Sequence, residues 1–209
     1  MSIGTMSTFL SRFSPFRPAL GAATALAMLS GCISIGGGGD APEQLLTLTS
    51  AATVEAGADV QGNPAEALAV QVPGVTQRLN VNRVPVRTGD ASLAYLQNAF
   101  WVEKPAALFR QVLAETIRAK GTRFVVDGGG LEYAATTQLT GELVDMGYDA
   151  TNGSVVVRYD AVLALPDGSL RTRRFEHVVD GVMPEAASVG RALNVAANVV
   201  AGEVADWVG

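Results

Sequence analysis

The residue with the most specific chemistry is Cys32, the only cysteine among 209 residues. It closes the run Leu29-Ser30-Gly31-Cys32, with a leucine three positions ahead and two small residues between. That is the lipobox pattern of bacterial lipoproteins, in which the sulfur receives lipid, an acyl chain such as palmitate, before the chain is cut ahead of the cysteine. The competing reading is an ordinary buried cysteine beside a core helix. The flanking residues decide against it. Residues 1–31 carry Arg12 and Arg17 and no acidic residue, and an apolar run extends from Ala19 to Leu29. A basic stretch followed by a short apolar stretch is an export signal. The run is too short for a membrane-spanning helix, which needs about 20 residues. Starting at Met6 would leave this reading unchanged. Ile33 follows the cysteine, where aspartate would retain the protein in the inner membrane. Its absence favours the outer membrane, with inner-membrane anchoring as the alternative in lineages that depart from the rule.

Other candidates for chemistry are bland by comparison. His177 is the only histidine, and it lies on an alternating strand pattern between Phe175 and Val179. A metal site needs further ligands nearby, and a triad needs a nucleophile turn such as G-x-S-x-G; neither pattern exists. Asp145, Asp149 and Asp160 share no helical spacing, so nothing selects a catalytic carboxylate pair. Arg171, Arg173 and Arg174 follow a turn. They suit either an anionic lipid or acidic partner, or a charged strand end that resists edge pairing, and the second is the simpler account. Tyr95, Phe100 and Trp101 crowd one segment, as core residues or as the lining of an apolar groove. No catalytic residue, metal or cofactor is expected.

Charge and cysteine usage narrow the partners. The formal charge is −5, and loss of Arg12 and Arg17 with the first 31 residues takes it to −7. An acidic domain has no electrostatic reason to bind nucleic acid. With Cys32 acylated no thiol remains, which removes disulfides, thiolate metal sites and cysteine nucleophiles. The domain organisation expected is a signal peptide over 1–31, a lipidated flexible tether over 32–44 and a single domain over 45–209. Gly36-Gly37-Gly38-Gly39 supplies the flexibility, and the tether reaches roughly 20 Å as a coil. A phosphate-cradling loop would need a strand before it and a helix after it, and neither is present.

The elements that must position any site follow from periodicity. Leu45 to Thr49 reads as a first strand. Ala67 to Val72 is nearly all apolar and reads as a central strand buried on both faces, ended by Pro73-Gly74. Gln77 to Val86 alternates, but Pro85 argues for an edge rather than an interior position. It makes a hairpin with Ser92 to Trp101 across Thr88-Gly89-Asp90. Lys104 to Lys120 is a helix with Pro105 in its first turn and Gly121 as its left-handed cap. Its stripe of Leu108, Phe109, Val112, Leu113, Thr116 and Ile117 must dock on a sheet, and burying four large members contributes roughly 6–12 kcal/mol before entropy. Arg123 to Val126 is a short strand, and Asp127 to Gly130 a glycine loop. Thr136 to Tyr148, Val155 to Leu165 and Ser169 to Val179 form an antiparallel meander, turned at Asn152-Gly153 and Pro166-Asp167-Gly168. Glu185 to Val208, opened by Pro184, is a long helix whose Val189, Leu193, Ala196, Val200, Val204 and Trp207 face inward. Its polar residues, Arg191, Asn194, Asn198, Glu203 and Asp206, forbid a membrane span. Its small residues allow close approach to a sheet or to another subunit, so a homo-oligomer is compatible with it. The fold class is therefore α/β with α+β character. It is a mixed sheet with an antiparallel C-terminal meander, packed by a central helix and a long C-terminal helix.

One stretch carries a resemblance. Val81-Asn82-Arg83-Val84-Pro85-Val86-Arg87 leads to Gly89-Asp90, then Leu93-Ala94-Tyr95-Leu96, then Phe100-Trp101-Val102-Glu103-Lys104-Pro105 and a helix. This resembles the ABC-type transport auxiliary lipoprotein family, which includes PqiC. The likeness extends over most of 45–208. The chain departs from the pattern in its first strand, where an aromatic residue is common and Leu45-Leu46-Thr47-Leu48 stands, and near Val84-Pro85. The resemblance implies a mixed sheet with helices packed on it and a non-enzymatic lipoprotein of an MCE-type lipid or solvent transport system. Its partners would be an MCE-domain periplasmic protein and, through it, an ABC permease and ATPase, with the membrane held by the N-terminal lipid. An outer-membrane lipoprotein that activates or scaffolds a cell-wall synthase is the alternative of a different class, and a hydrolase with an unrecognised site is a third.

Overall fold

The computed structural model describes residues 44–121, 123–126, 130 and 134–209. Cys32, the expected signal peptide, most of the expected tether and most of the expected glycine loop lie outside the described residues. Eight strands and two α-helices follow one another as β1 (Leu68–Val70), β2 (Gly74–Val75), β3 (Arg83–Gly89), β4 (Ser92–Phe100), α1 (Pro105–Lys120), β5 (Val125–Val126), β6 (Thr137–Asp149), β7 (Ser154–Ala164), β8 (Leu170–Val179) and α2 (Ala186–Val208). The mixed α/β class, the C-terminal meander and both helices match the expectation.

β6 organises the sheet. It is 13 residues long and runs antiparallel to β7 along one side. Along its other side it meets three short strands in turn, all parallel to it: β1 at Thr137–Leu139, β2 at Glu142–Leu143 and β3 at Tyr148–Asp149. β8 continues outward from β7. β1 lies between β5 and β6, and both its faces are covered, as its unbroken apolar run required. One face of the sheet carries the main core. The stripe of α1 and the inward residues of α2 pack there on Leu139, Leu143, Val157, Tyr159 and Leu163. Phe109 meets Tyr159 edge-on with ring centres 5.3 Å apart. Along β7, odd-numbered residues are buried and even-numbered ones face away from the helices, the period of two of a half-buried strand.

Three local expectations change. Leu45 to Thr49 contributes only an isolated parallel bridge, Leu46 with Trp101. Gln77–Leu79 is a short 3-10 turn, and the strand starts at Arg83 and runs past Val86 to Gly89. Pro85 is also not on an edge, because β3 sits between β4 and β6. The missing N–H is tolerated because the ladder to β6 begins only at Val86, and the register to β4 shifts between Arg83 and Pro85. Gly147 leaves the space: a Cβ there would lie 2.6 Å from the Pro85 carbonyl oxygen. β4 bulges over the same stretch and carries Asn98 in a left-handed conformation, φ 54°. α2 starts at Ala186 with Glu185 as its cap, so Pro184 lies ahead of the helix instead of opening it, whereas the ends of α1 behave as their residues dictate. Pro105 opens α1, and Gly121 closes it at φ 67° with its N–H on the Arg118 carbonyl.

Candidate functional site

Two surfaces of the fold can serve as docking sites. The first is where the N-terminal segment enters. Leu46 donates its N–H to the Phe100 carbonyl (2.7 Å) and accepts from Val102 (2.9 Å). Past that bridge the backbone finds side chains instead of a strand. Thr49 N–H donates to Asn194 Oδ1 (2.8 Å) and Ala51 N–H to Asn198 Oδ1 (2.6 Å). Asn198 Nδ2 donates back to the Thr49 carbonyl at 2.9 Å. Val54 N–H reaches Glu115 Oε1 on α1 at 2.9 Å, and Ser50 shares a hydroxyl contact with Thr116 at 3.1 Å. Leu48 is buried beneath this strap. An asparagine amide can donate and accept at once, so two of them one helical turn apart act as a docking strip for an extended backbone. Sequence reading used Asn194 and Asn198 only to reject a membrane span. The signal that was there is their spacing of four, which sets two amides on one face of the helix.

The second surface is the face of the sheet turned away from the helices. A cavity of about 220 Å³ opens there, lined among others by Arg78, Arg87, Asp145, Asp149 and Arg158. Each of its carboxylates is matched. Arg78 Nη2 stands 3.3 Å from Asp145. Arg87 pairs with Asp149, which is buried. Asp149 also accepts from Thr151 N–H (2.9 Å), Thr151 Oγ1 (2.5 Å) and Asn152 Nδ2 (2.9 Å). These donors stabilise the charged form, the Arg87 hydrogen bond most, and hold the carboxyl at about 2, below its ordinary 3.8. Beside the cavity, Arg158 pairs with Glu176, and Arg174 grips Asp160 through two hydrogen bonds of 2.6 Å. That fork lowers the Asp160 carboxyl from its usual value. Asp149 and Asp160, held charged in this way, belong to a set of close ion pairs. What it offers is a surface of alternating sign.

The remaining candidates separate. Trp101 is 2% exposed and belongs to the core. Tyr95 and Phe100 are half-buried and flank Arg83, whose guanidinium carbon lies 5.3 and 5.4 Å from their ring centres. Arg171 lies over the Trp207 ring (5.0 Å) and donates to the Trp207 carbonyl at the end of α2 (3.3 Å). Arg173 covers the Phe175 ring at 4.9 Å. His177 is half-buried, opposite Val157 on β7. No group of three or more metal-ligating side chains occurs among the described residues. None of their helices is long and apolar enough to cross a membrane.

Comparison with known proteins places this geometry. The model of the family described as "ABC-type transport auxiliary lipoprotein component" matches residues 46–205. No curated protein matches the chain. Among solved structures, a Xanthomonas campestris protein of family DUF330 is similar at 16% identity and a TM-score of 0.66, over 79% of this chain and 94% of that one. An uncharacterized protein follows at 16% identity and 0.60, over 79% and 97%. The PelC dodecamer from Paraburkholderia phytofirmans reaches 0.39 at 16% identity, over 69% and 92%, too distant to bear on fold or assembly.

Proposed function

We propose that this chain, which belongs to the ABC-type transport auxiliary lipoprotein family, is a non-enzymatic docking subunit of an MCE-type system that moves lipid or solvent molecules between the two membranes. Residues 1–31 act as the signal peptide and Cys32 carries the lipid. Residues 32–44 form the tether and 45–209 the domain. The anchor sits in the outer membrane and the domain faces the periplasm. It meets an MCE-domain protein and, through that protein, the permease and ATPase.

The observation that carries this reading is the strap. A tether is useful for placement only if its end is fixed to the body it positions. Here the segment that follows it is tied to α2 by Asn194 and Asn198 and to α1 by Glu115 and Thr116. Several of the charges facing away from the helices are held in ion pairs, which suits contact with another protein better than turnover. Two measurements test the reading. Cys32→Ala is expected to leave the membrane fraction, and retention there would sink the anchor. Affinity purification after envelope cross-linking is expected to recover an MCE-domain protein. Recovery of a cell-wall glycosyltransferase and no transport component would transfer the protein to the synthase-activator class.

A further inference from the structure

Among the described residues, β8 ends the sheet with an unpaired edge. Among the described residues it pairs only with β7, over ten consecutive residue pairs from Val155–Val179 to Ala164–Leu170, without a bulge. Leu170–Val179 contains no proline. Half of its backbone N–H and C=O groups therefore point outward as a template for another strand. Natural edges of this length are blunted by charge or occupied, and the pattern of charges here distinguishes the two.

A two-fold axis normal to the sheet would set β8 antiparallel to β8 of a second copy and keep both helical layers on one side. Residues then oppose residues of the same face. Centring the axis on Arg173, Arg174 or Glu176 places like charges directly opposite each other. Centring it on Phe175 pairs every residue of the strand but Leu170 and sets Arg174 against Glu176 twice. Both side chains are already matched within the chain, Glu176 with Arg158 and Arg174 with Asp160 on β7. The rows thus extend across four strands as Arg158, Glu176, Arg174 and Asp160, alternating in sign at each step, and the second row repeats this in reverse. Cross-strand pairs of opposite charge stabilise a sheet, and like pairs oppose it. On the same face Thr172 would oppose Val178, which is 42% exposed. On the helix side Arg173 would oppose His177 and Arg171 would oppose Val179.

We infer that β8 is an isologous interface, and that two copies of this chain join their sheets by antiparallel pairing of β8 about an axis through Phe175. The occupant is a second copy because this register, which pairs nearly the whole strand, is complementary to itself. The inference does not depend on the transport reading.

Disulfide trapping of the full-length chain in membranes tests it. Thr172→Cys and Val178→Cys variants, both at exposed positions, are expressed together and oxidised. The expected result is a disulfide-linked dimer in the mixture and little in either variant alone, since each new thiol faces its complement only across the axis. The unsubstituted chain, which retains Cys32, sets the background. Arg174→Glu is expected to raise the dimer dissociation constant by about tenfold or more, because two attractive pairs become repulsive. Circular dichroism confirms that its fold is kept. A monomeric mass by light scattering in detergent, or a dimer in which the two introduced thiols fail to link, would overturn the interface.

Discussion

Asp149 shows how a single side chain can hold three elements. It ends β6, salt-bridges Arg87 on β3, and satisfies Thr151 and Asn152 in the turn to β7. An aspartate that accepts the N–H two residues on pre-forms a turn, which here joins the two longest strands. Asp149→Ala is expected to destabilise the domain by about 1–3 kcal/mol in urea unfolding, since it leaves several donors without an acceptor. The pH dependence follows from the same contacts. The unfolded carboxyl titrates near 3.8 and the folded one near 2. Between those values the unfolded chain binds a proton that the folded chain refuses, so stability rises with pH. The contribution is complete above about pH 4 and is lost as pH falls towards 2; Asp149→Asn should flatten that part of the profile. The sequence places Thr151 and Asn152 beside Asp149 but does not show its ion-pair partner, because Arg87 arrives from a strand 62 residues away.

Among the elements, the strap is one that periodicity misread. Leu46 and Leu48 alternate as a strand would, yet only Leu46 finds a backbone partner. The segment lies over the helices, where there is no strand to pair with, and two asparagines provide the hydrogen bonds. Asn194→Ala together with Asn198→Ala is expected to speed amide exchange at Thr49 and Ala51 by about tenfold or more, because each lost bond is worth roughly 1 kcal/mol. Exchange within β6 and β7 should stay unchanged, and a uniform increase would show that the strap is part of the global core. β3 is a comparable case. Pro85 argued for an edge, and the argument from its missing donor was sound. The bulge in β4 and the bare backbone of Gly147 removed the penalty. The helices were legible because burial on one face imposes a period that any partner surface would require, and Pro105 and Gly121 mark ends through their own backbone chemistry.

At the scale of the molecule, one hydrophobic cluster joins α1, α2 and the strands, from Leu48 to Val208. A core of that continuity should unfold in a single transition. The two tryptophans report from separate parts of it, Trp101 beside the strap and Trp207 against Phe175. Their fluorescence and the far-UV circular dichroism are expected to change together in denaturant. A Trp101 signal lost ahead of the backbone signal would divide the domain. By itself the sequence determined the α/β class, the meander, both helices, the doubly buried β1 and the family resemblance. These rest on local periods, local breakers and contiguous motifs, all of which are written along the chain. The tertiary structure decided that β6 collects three parallel neighbours and that Pro85 lies inside the sheet. It also decided that Asn194 and Asn198 receive the N-terminal segment, and that the arginines and carboxylates alternate in sign across β7 and β8. Each of these depends on which distant backbones become neighbours, and a pattern that repeats every two or three to four residues carries no record of its partner.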